Sequence, residues 1–129
     1  MSVLNRTRGT SLGHRVAVAD NFFSRLRGLL GRPNPEEGEG LLILPSRGVH
    51  MYGMKYSLDV VLVDAKGQVV ALYPELPPGA RTRMHRTARA AVELPAGAIA
   101  RSGTNEGDHI DWHPTPSASG IRAGPVGRS

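Results

Sequence analysis

Residues 58–73 read LDVVLVDAKGQVVALY, and their pattern sets the fold class. Leu58 to Val63 is a short, mostly β-branched run of the kind that fills strands. Asp64-Ala65-Lys66-Gly67 has hairpin chemistry, with Asp opening the turn and Gly closing it, and Gln68 to Tyr73 returns as the partner strand. Apart from Asp59, both alternating faces of the first strand are apolar, which predicts burial on both sides.

On either side the same kind of pattern continues. His14 to Ala19, Leu41 to Leu44, Ala90 to Leu94 and His109 to Trp112 read as short strands, and Val49 to Tyr52 as another, broken by Gly53. Asp20 stands where a helix N-cap belongs, and Phe22, Phe23, Leu26, Leu29 and Leu30 share one stripe at helical period. An amphipathic helix is therefore predicted from there to the stop at Gly31 and Pro33. Pro95 to Ser102 (PAGAIARS) predicts a short second helix entered through proline. The expected fold is α+β, mainly β: a compact, mostly antiparallel sheet or small barrel of about seven short strands with two helices. Residues 1–13 read as a flexible N-terminal arm and residues 14–113 as a single globular domain. Residues 114–129, rich in Pro, Gly and Ser, read as a disordered C-terminal tail.

The chain has 129 residues, 16 Lys or Arg, 11 Asp or Glu, and no Cys. That length suffices to bury a core without staples. The absence of Cys removes disulfides, thiolate metal sites and thiol nucleophiles. No apolar run approaches the ~20 residues of a membrane helix, and the first residues lack a signal-peptide pattern, so a cytoplasmic, membrane-independent protein is expected. The net charge of +5 is unevenly placed. Arg6, Arg8, Arg122 and Arg128 lie near the ends, and without them 12 basic residues face 11 acidic ones. Nucleic acid is therefore expected to make only weak, non-specific contacts through the basic termini. One local cluster remains, RTRMHRTAR from Arg81 to Arg89, with four Arg, one His and no acid. No aromatic residue is interleaved with it, which argues against base stacking.

Three ordered blocks carry a resemblance. His50, Gly53, Met54, Lys55, Tyr56, Leu58, Asp59, Val60 and Asp64 fall within HMYGMKYSLDVVLVDAKGQVVAL. Arg25 to Gly31 reads RLRGLLG, and Glu93 to Gly97 reads ELPAG ahead of Gly107-Asp108. Together they are similar to the bacterial and archaeal family called domain of unknown function 192. Met51, Ser57 and Leu62 depart from its pattern without removing a chargeable group. The resemblance implies a small β-rich domain and no particular activity. The order strand, Leu-Pro, helix, Gly-Asp, strand from Ala90 to Trp112 also resembles the unit of swapped-hairpin barrels, which include bacterial transition-state regulators.

Standard catalytic and nucleotide-binding motifs are absent from the sequence. Asp59 is the most informative residue, because a carboxylate inside an apolar strand must be paired, hydrogen-bonded or protonated. Its expected partners are His50, Lys55 or an Arg of the 81–89 run. His50 and Tyr52 are expected on one face, with Val49 and Met51 on the other. The ligand-binding residues assigned on these grounds are His50, Met54, Lys55, Asp59 and Arg89, and no catalytic residue is assigned. Met51 and Met84 adjoin His50 and His85, and His109, Asp111 and His113 alternate along a strand. Core packing and a solvent-facing strand account for both patterns, so no metal or cofactor is expected. The sequence points to a non-enzymatic module that binds an unknown small-molecule or peptide ligand. Two other readings stand beside it: a hydrolase using a His50/Asp59 pair, and a DNA-associated regulator of the swapped-hairpin type.

Overall fold

A computed structural model of the chain describes residues 1–19 and 34–115. The described residues form eight strands and one short helix: β1 (Ser2–Asn5), β2 (Thr10–Gly13), β3 (Arg15–Ala19), β4 (Glu39–Ile43), β5 (Leu58–Asp64), β6 (Val69–Leu76), β7 (Ala88–Pro95), α1 (Ala98–Ser102) and β8 (Ile110–His113). The fold is mainly β, in two sheets. One has the order β2-β1-β8 and the other β3-β4-β7-β5-β6. Among the described residues the two sheets do not close into a barrel; their backbones meet at the isolated bridge Gln68↔His109 and again where Met1 and Val16 bond each other. The amphipathic helix expected after Asp20 lies outside the described residues.

The LDVVLV strand behaves as its pattern requires. Leu58 to Val63 are all buried, and β5 pairs antiparallel with β6 on one side and β7 on the other. Its alternation splits the interior in two. Val61 and Val63 join Val3, Leu12, Leu42, Val92, Leu94, Ile99 and Ile110 in one apolar cluster. Leu58, Val60 and Leu62 join Leu41, Ile43, Met51, Met54 and Ala91 in the other. One sheet therefore carries apolar residues on both faces, each packed into its own cluster. β3 and β4 pair in parallel, in contrast to the antiparallel pairings of β4 with β7 and β7 with β5.

Two expectations need correction. Residues 1–13 are not an arm: β1 and β2 form a hairpin, and β1 also pairs with β8. Val3 and Leu12 are buried in the first cluster. The short runs escape sequence reading because their neighbours are polar, yet those polar residues make the attachment. Asn5 is fully buried and donates through Nδ2 to Thr104 Oγ1 at 3.0 Å and to Asp108 Oδ2 at 2.9 Å. Arg8 reaches the same Asp108 through Nε at 3.0 Å. The second correction concerns Val49 to Tyr52, which is not a strand. It keeps strand-like alternation, with Val49 and Met51 buried and Tyr52 exposed, but forms only the single bridge His50↔Arg81.

Candidate functional site

The segment 46–51 is bound along its length to the segment 79–89. The Met51 amide donates to the Ala80 carbonyl at 2.7 Å and the Gly79 amide to the Met51 carbonyl at 2.9 Å. The Thr82 amide donates to Val49, the His85 amide to Arg47 and the Ser46 amide to Arg89, each at 2.9 Å. The Val49 amide returns a bond to Thr82 Oγ1 at 3.0 Å. This zipper requires a glycine. A Cβ on Gly48 would lie 2.7 Å from Thr82 Oγ1 and 2.8 Å from the Arg83 carbonyl oxygen, closer than real Cβ contacts allow.

The zipper merges two basic segments into one surface. Arg47 and Lys55 come from the first loop, and Arg81, Arg83 and Arg86 from the second; all five are exposed. No acidic residue occurs in residues 45–58 or 77–92. Two apolar side chains stand exposed among these cations, Tyr52 at 55% and Met84 at 74%. The Tyr52 ring lies against His50, with centroids 4.9 Å apart. On the other flank the Tyr73 hydroxyl lies 2.7 Å from His85 Nε2, and the Arg83 amide donates to the same hydroxyl at 3.3 Å. Tyr73 belongs to β6, an edge strand. The second loop is thus tied at its middle to the sheet.

The expected site residues fall in three places. His50, Met54 and Lys55 lie in the first loop, where His50 is half-buried, Met54 is buried in the second apolar cluster and Lys55 is exposed. His50 and Arg47 line a small cavity of about 180 Å³. Arg89, the last residue of the zipper, is exposed and lines a different cavity.

Asp59 stands apart from both. It is 1% exposed and faces the first cluster, and its expected cationic partners are not the ones it has. Oδ1 accepts the Glu75 amide at 2.9 Å and Oδ2 accepts the Ile99 amide at 2.8 Å. The physical reason is local. Glu75 has φ of 52° in a bulge of β6 opposite Asp59, which turns its amide out of the ladder. Gly97, the residue before α1, provides no side chain to cap the helix. Asp59 from β5 supplies the acceptor that each amide lacks. Both carboxylate oxygens thus accept backbone amides, one from the β6 bulge and one from the start of α1.

Sequence reasoning also missed two polar centres. Glu93 in β7 is buried at 1% exposure, and nothing in its apolar-flanked position signalled more than a strand residue. Asp108 is the hub for Asn5, Arg8 and the Asn105 amide. The Arg8 guanidinium, then Asn5 and the Asn105 amide, hold its pKa down at about 2. Among the described residues no three His, Cys, Asp or Glu side chains converge on a metal-sized position, and no helix is long and apolar enough to cross a membrane.

The chain is similar to several known proteins. A UPF0127 protein of Thermococcus sibiricus is 34% identical over 92% of this chain and 79% of its own length. Another, from Pyrococcus furiosus, is 32% identical over 86% of this chain and 97% of its own. Among solved structures, a protein of unknown function from Novosphingobium aromaticivorans superimposes with a TM-score of 0.73 at 21% identity, covering 86% of this chain and 82% of that one. A putative transcription regulator from Sinorhizobium meliloti superimposes with a TM-score of 0.68 at 21% identity, covering 85% and 89%. These structures speak to the fold alone. The pattern of the uncharacterized ACR family, domain of unknown function 192, matches residues 3–112, and the chain belongs to that family.

Proposed function

We propose that the chain is a non-enzymatic binding module whose zipped double loop receives an acidic, partly apolar segment of a protein partner. The observation that carries this is the composition of the joined surface: five exposed cations, no acid, and Tyr52 and Met84 standing exposed among them. Arg, Tyr and Met are the residue types enriched where protein interfaces bury their centres, and a positive rim steers an acidic partner. The absence of Cys suits a reducing compartment, and a cytoplasmic setting is part of the proposal.

A second reading has its own support. Tyr52 brings an aromatic face to the Arg run from the other loop, and the Sinorhizobium neighbour is described as a putative transcription regulator. Stacking on Tyr52 with phosphates on the Arg side chains would make the same surface a nucleic-acid contact. The near-neutral balance of the rest of the chain favours the peptide.

Fluorescence anisotropy separates the two. The probes are a labelled peptide alternating Glu with Phe and Leu, and a labelled short DNA duplex. The proposal expects the peptide to bind the full chain more tightly than the duplex. The double charge reversal Arg81→Glu/Arg83→Glu should weaken it by at least about tenfold, or ~1.4 kcal/mol. Peptide binding that is absent, or indifferent to the reversal, overturns the proposal. Tighter duplex binding with a steep salt slope, lost in the same variant, establishes the second reading instead.

A further inference from the structure

A second concave site lies past the Ser46–Arg89 end of the double loop, where the β5–β6 turn of the larger sheet meets β8 of the smaller one. The two sheets are stitched here by backbone bonds. The Ile110 amide donates to the Gly67 carbonyl at 2.7 Å, and the Val69 amide donates to the Asp108 carbonyl at 2.9 Å. Beside this junction is a cavity of about 360 Å³, within the range of small-molecule sites. Its apolar wall comes from Leu44 and Trp112, which pack at the margin of the first cluster, and from Ala90 and Ile110 inside that cluster. Its polar wall comes from Asp64, Lys66, Arg89, His109 and Asp111. His109 is held over the turn: its amide donates to Thr7 Oγ1 at 2.8 Å, and its ring lies so near Gly67 that a Cβ there would come within 3.1 Å of Cε1.

The charges around this cavity are of both signs, and both of its carboxylates already accept other donors. Asp111 pairs with Arg6 at 2.7 Å. Asp64 Oδ1 accepts the amides of Lys66 and Gln68, each at 2.9 Å, and so closes its own turn. Arg89 donates through Nη1 only to the carbonyls of Arg86 and Ala88, at 3.1 and 2.9 Å. Among the described residues neither Lys66 nor Arg89 has a carboxylate partner. Lys66, Arg89 and His109 therefore line a pocket whose two acids, Asp64 and Asp111, already accept other donors, beside an apolar wall that includes the chain's single Trp.

We infer that this cavity binds a small organic anion, a carboxylate or phosphate monoester carrying a short apolar body. The anionic head would lie against Lys66, Arg89 and His109, and the body against Leu44, Ile110 and Trp112. A convergent set of donors beside an apolar wall is the arrangement by which small-molecule sites fix orientation and gain affinity. The site is separate from the surface proposed above and stands or falls without it.

Because Trp112 is the only Trp, its emission reports on this cavity directly. The full chain is titrated through the millimolar range with hexyl phosphate, hexanoate, hexanol and inorganic phosphate. The inference expects a saturable change in Trp112 emission with hexyl phosphate or hexanoate. Whichever of these binds more tightly identifies the head group, and hexanol and inorganic phosphate should each be weaker by at least about tenfold. Lys66→Gln/Arg89→Gln, two exposed positions, should lose at least about tenfold in affinity while keeping the parent's melting temperature. Arg83→Gln, on the double loop, should bind as the parent does. No saturable change with either anion, hexanol binding as tightly as the anions, or undiminished binding in the double variant would each overturn the inference.

Discussion

Removing the Asp59 carboxylate tests how the helix and the sheet are joined. The residue is 1% exposed and accepts the amides of Glu75 and Ile99, so Asp59→Ala leaves the buried Ile99 amide and the half-buried Glu75 amide without acceptors. A buried donor left unsatisfied costs about 1–3 kcal/mol and a half-buried one less, which makes the expected loss about 2–4 kcal/mol. A chain of this size loses roughly 4 °C per kcal/mol, so a central loss of ~3 kcal/mol lowers the midpoint by ~12 °C. Asp59→Asn keeps one carbonyl oxygen and therefore one of the two bonds. Its remaining amide group points a donor at a donor, for a loss of about 1–3 kcal/mol. The assay is thermal or urea unfolding of the three proteins, with amide exchange at Glu75 and Ile99. Both amides should lose protection together in Asp59→Ala. If Asp59→Ala melts within a few degrees of the parent and the Ile99 amide stays protected, Asp59 does not cap α1, and the account of this junction is wrong.

Other consequences follow from the same contacts. The Asp108 pKa is lowered from 3.8 to about 2, so its contribution is present above the ordinary value and is lost as pH falls through about 2. Arg8→Ala removes the largest cause and should shift the acid limb of stability to higher pH in melts between about pH 2 and pH 6; superimposable acid limbs would contradict this. Gly48→Ala forces a methyl against Thr82 and the Arg83 carbonyl, and should cost about 1–3 kcal/mol in urea unfolding. A variant as stable as the parent would mean the zipper yields easily. Glu75→Gly relieves a positive φ and should be neutral or stabilising by up to about 1 kcal/mol, unlike most Gly substitutions in strands; a clear loss of stability would refute that reading. Deleting residues 1–13 removes Val3, Asn5 and Leu12 from the interior and should abolish cooperative unfolding, whereas a sharp melt near the parent's would restore the idea of an arm.

The sequence revealed what depends on local pattern. LDVVLV and its DAKG turn were readable because β-branched residues, alternation and turn chemistry all act within a few positions. The three family blocks added order along the chain. What stayed hidden depends on partners far apart in sequence. β1 and β2 are four residues each, and they are strands because Asn5 and Arg8 meet Asp108 about a hundred positions away. Asp59 was correctly singled out as a buried carboxylate, but its partners are backbone amides freed by the Glu75 bulge and the uncapped start of α1, which no residue type announces. The Arg81–Arg89 run was legible as charge. Its companions Arg47, Tyr52 and Lys55 became visible only when hydrogen bonds placed the two loops side by side.

The double loop as the partner-binding surface is tested most directly by mapping the acidic peptide onto the full chain, residue by residue, with backbone amide chemical shifts. The account predicts saturable shifts concentrated in residues 47–55 and 81–86, with Tyr52 and Met84 side-chain signals moving alongside them and with smaller effects elsewhere. Shifts confined to the chain termini, or no saturable shifts at all, would contradict it.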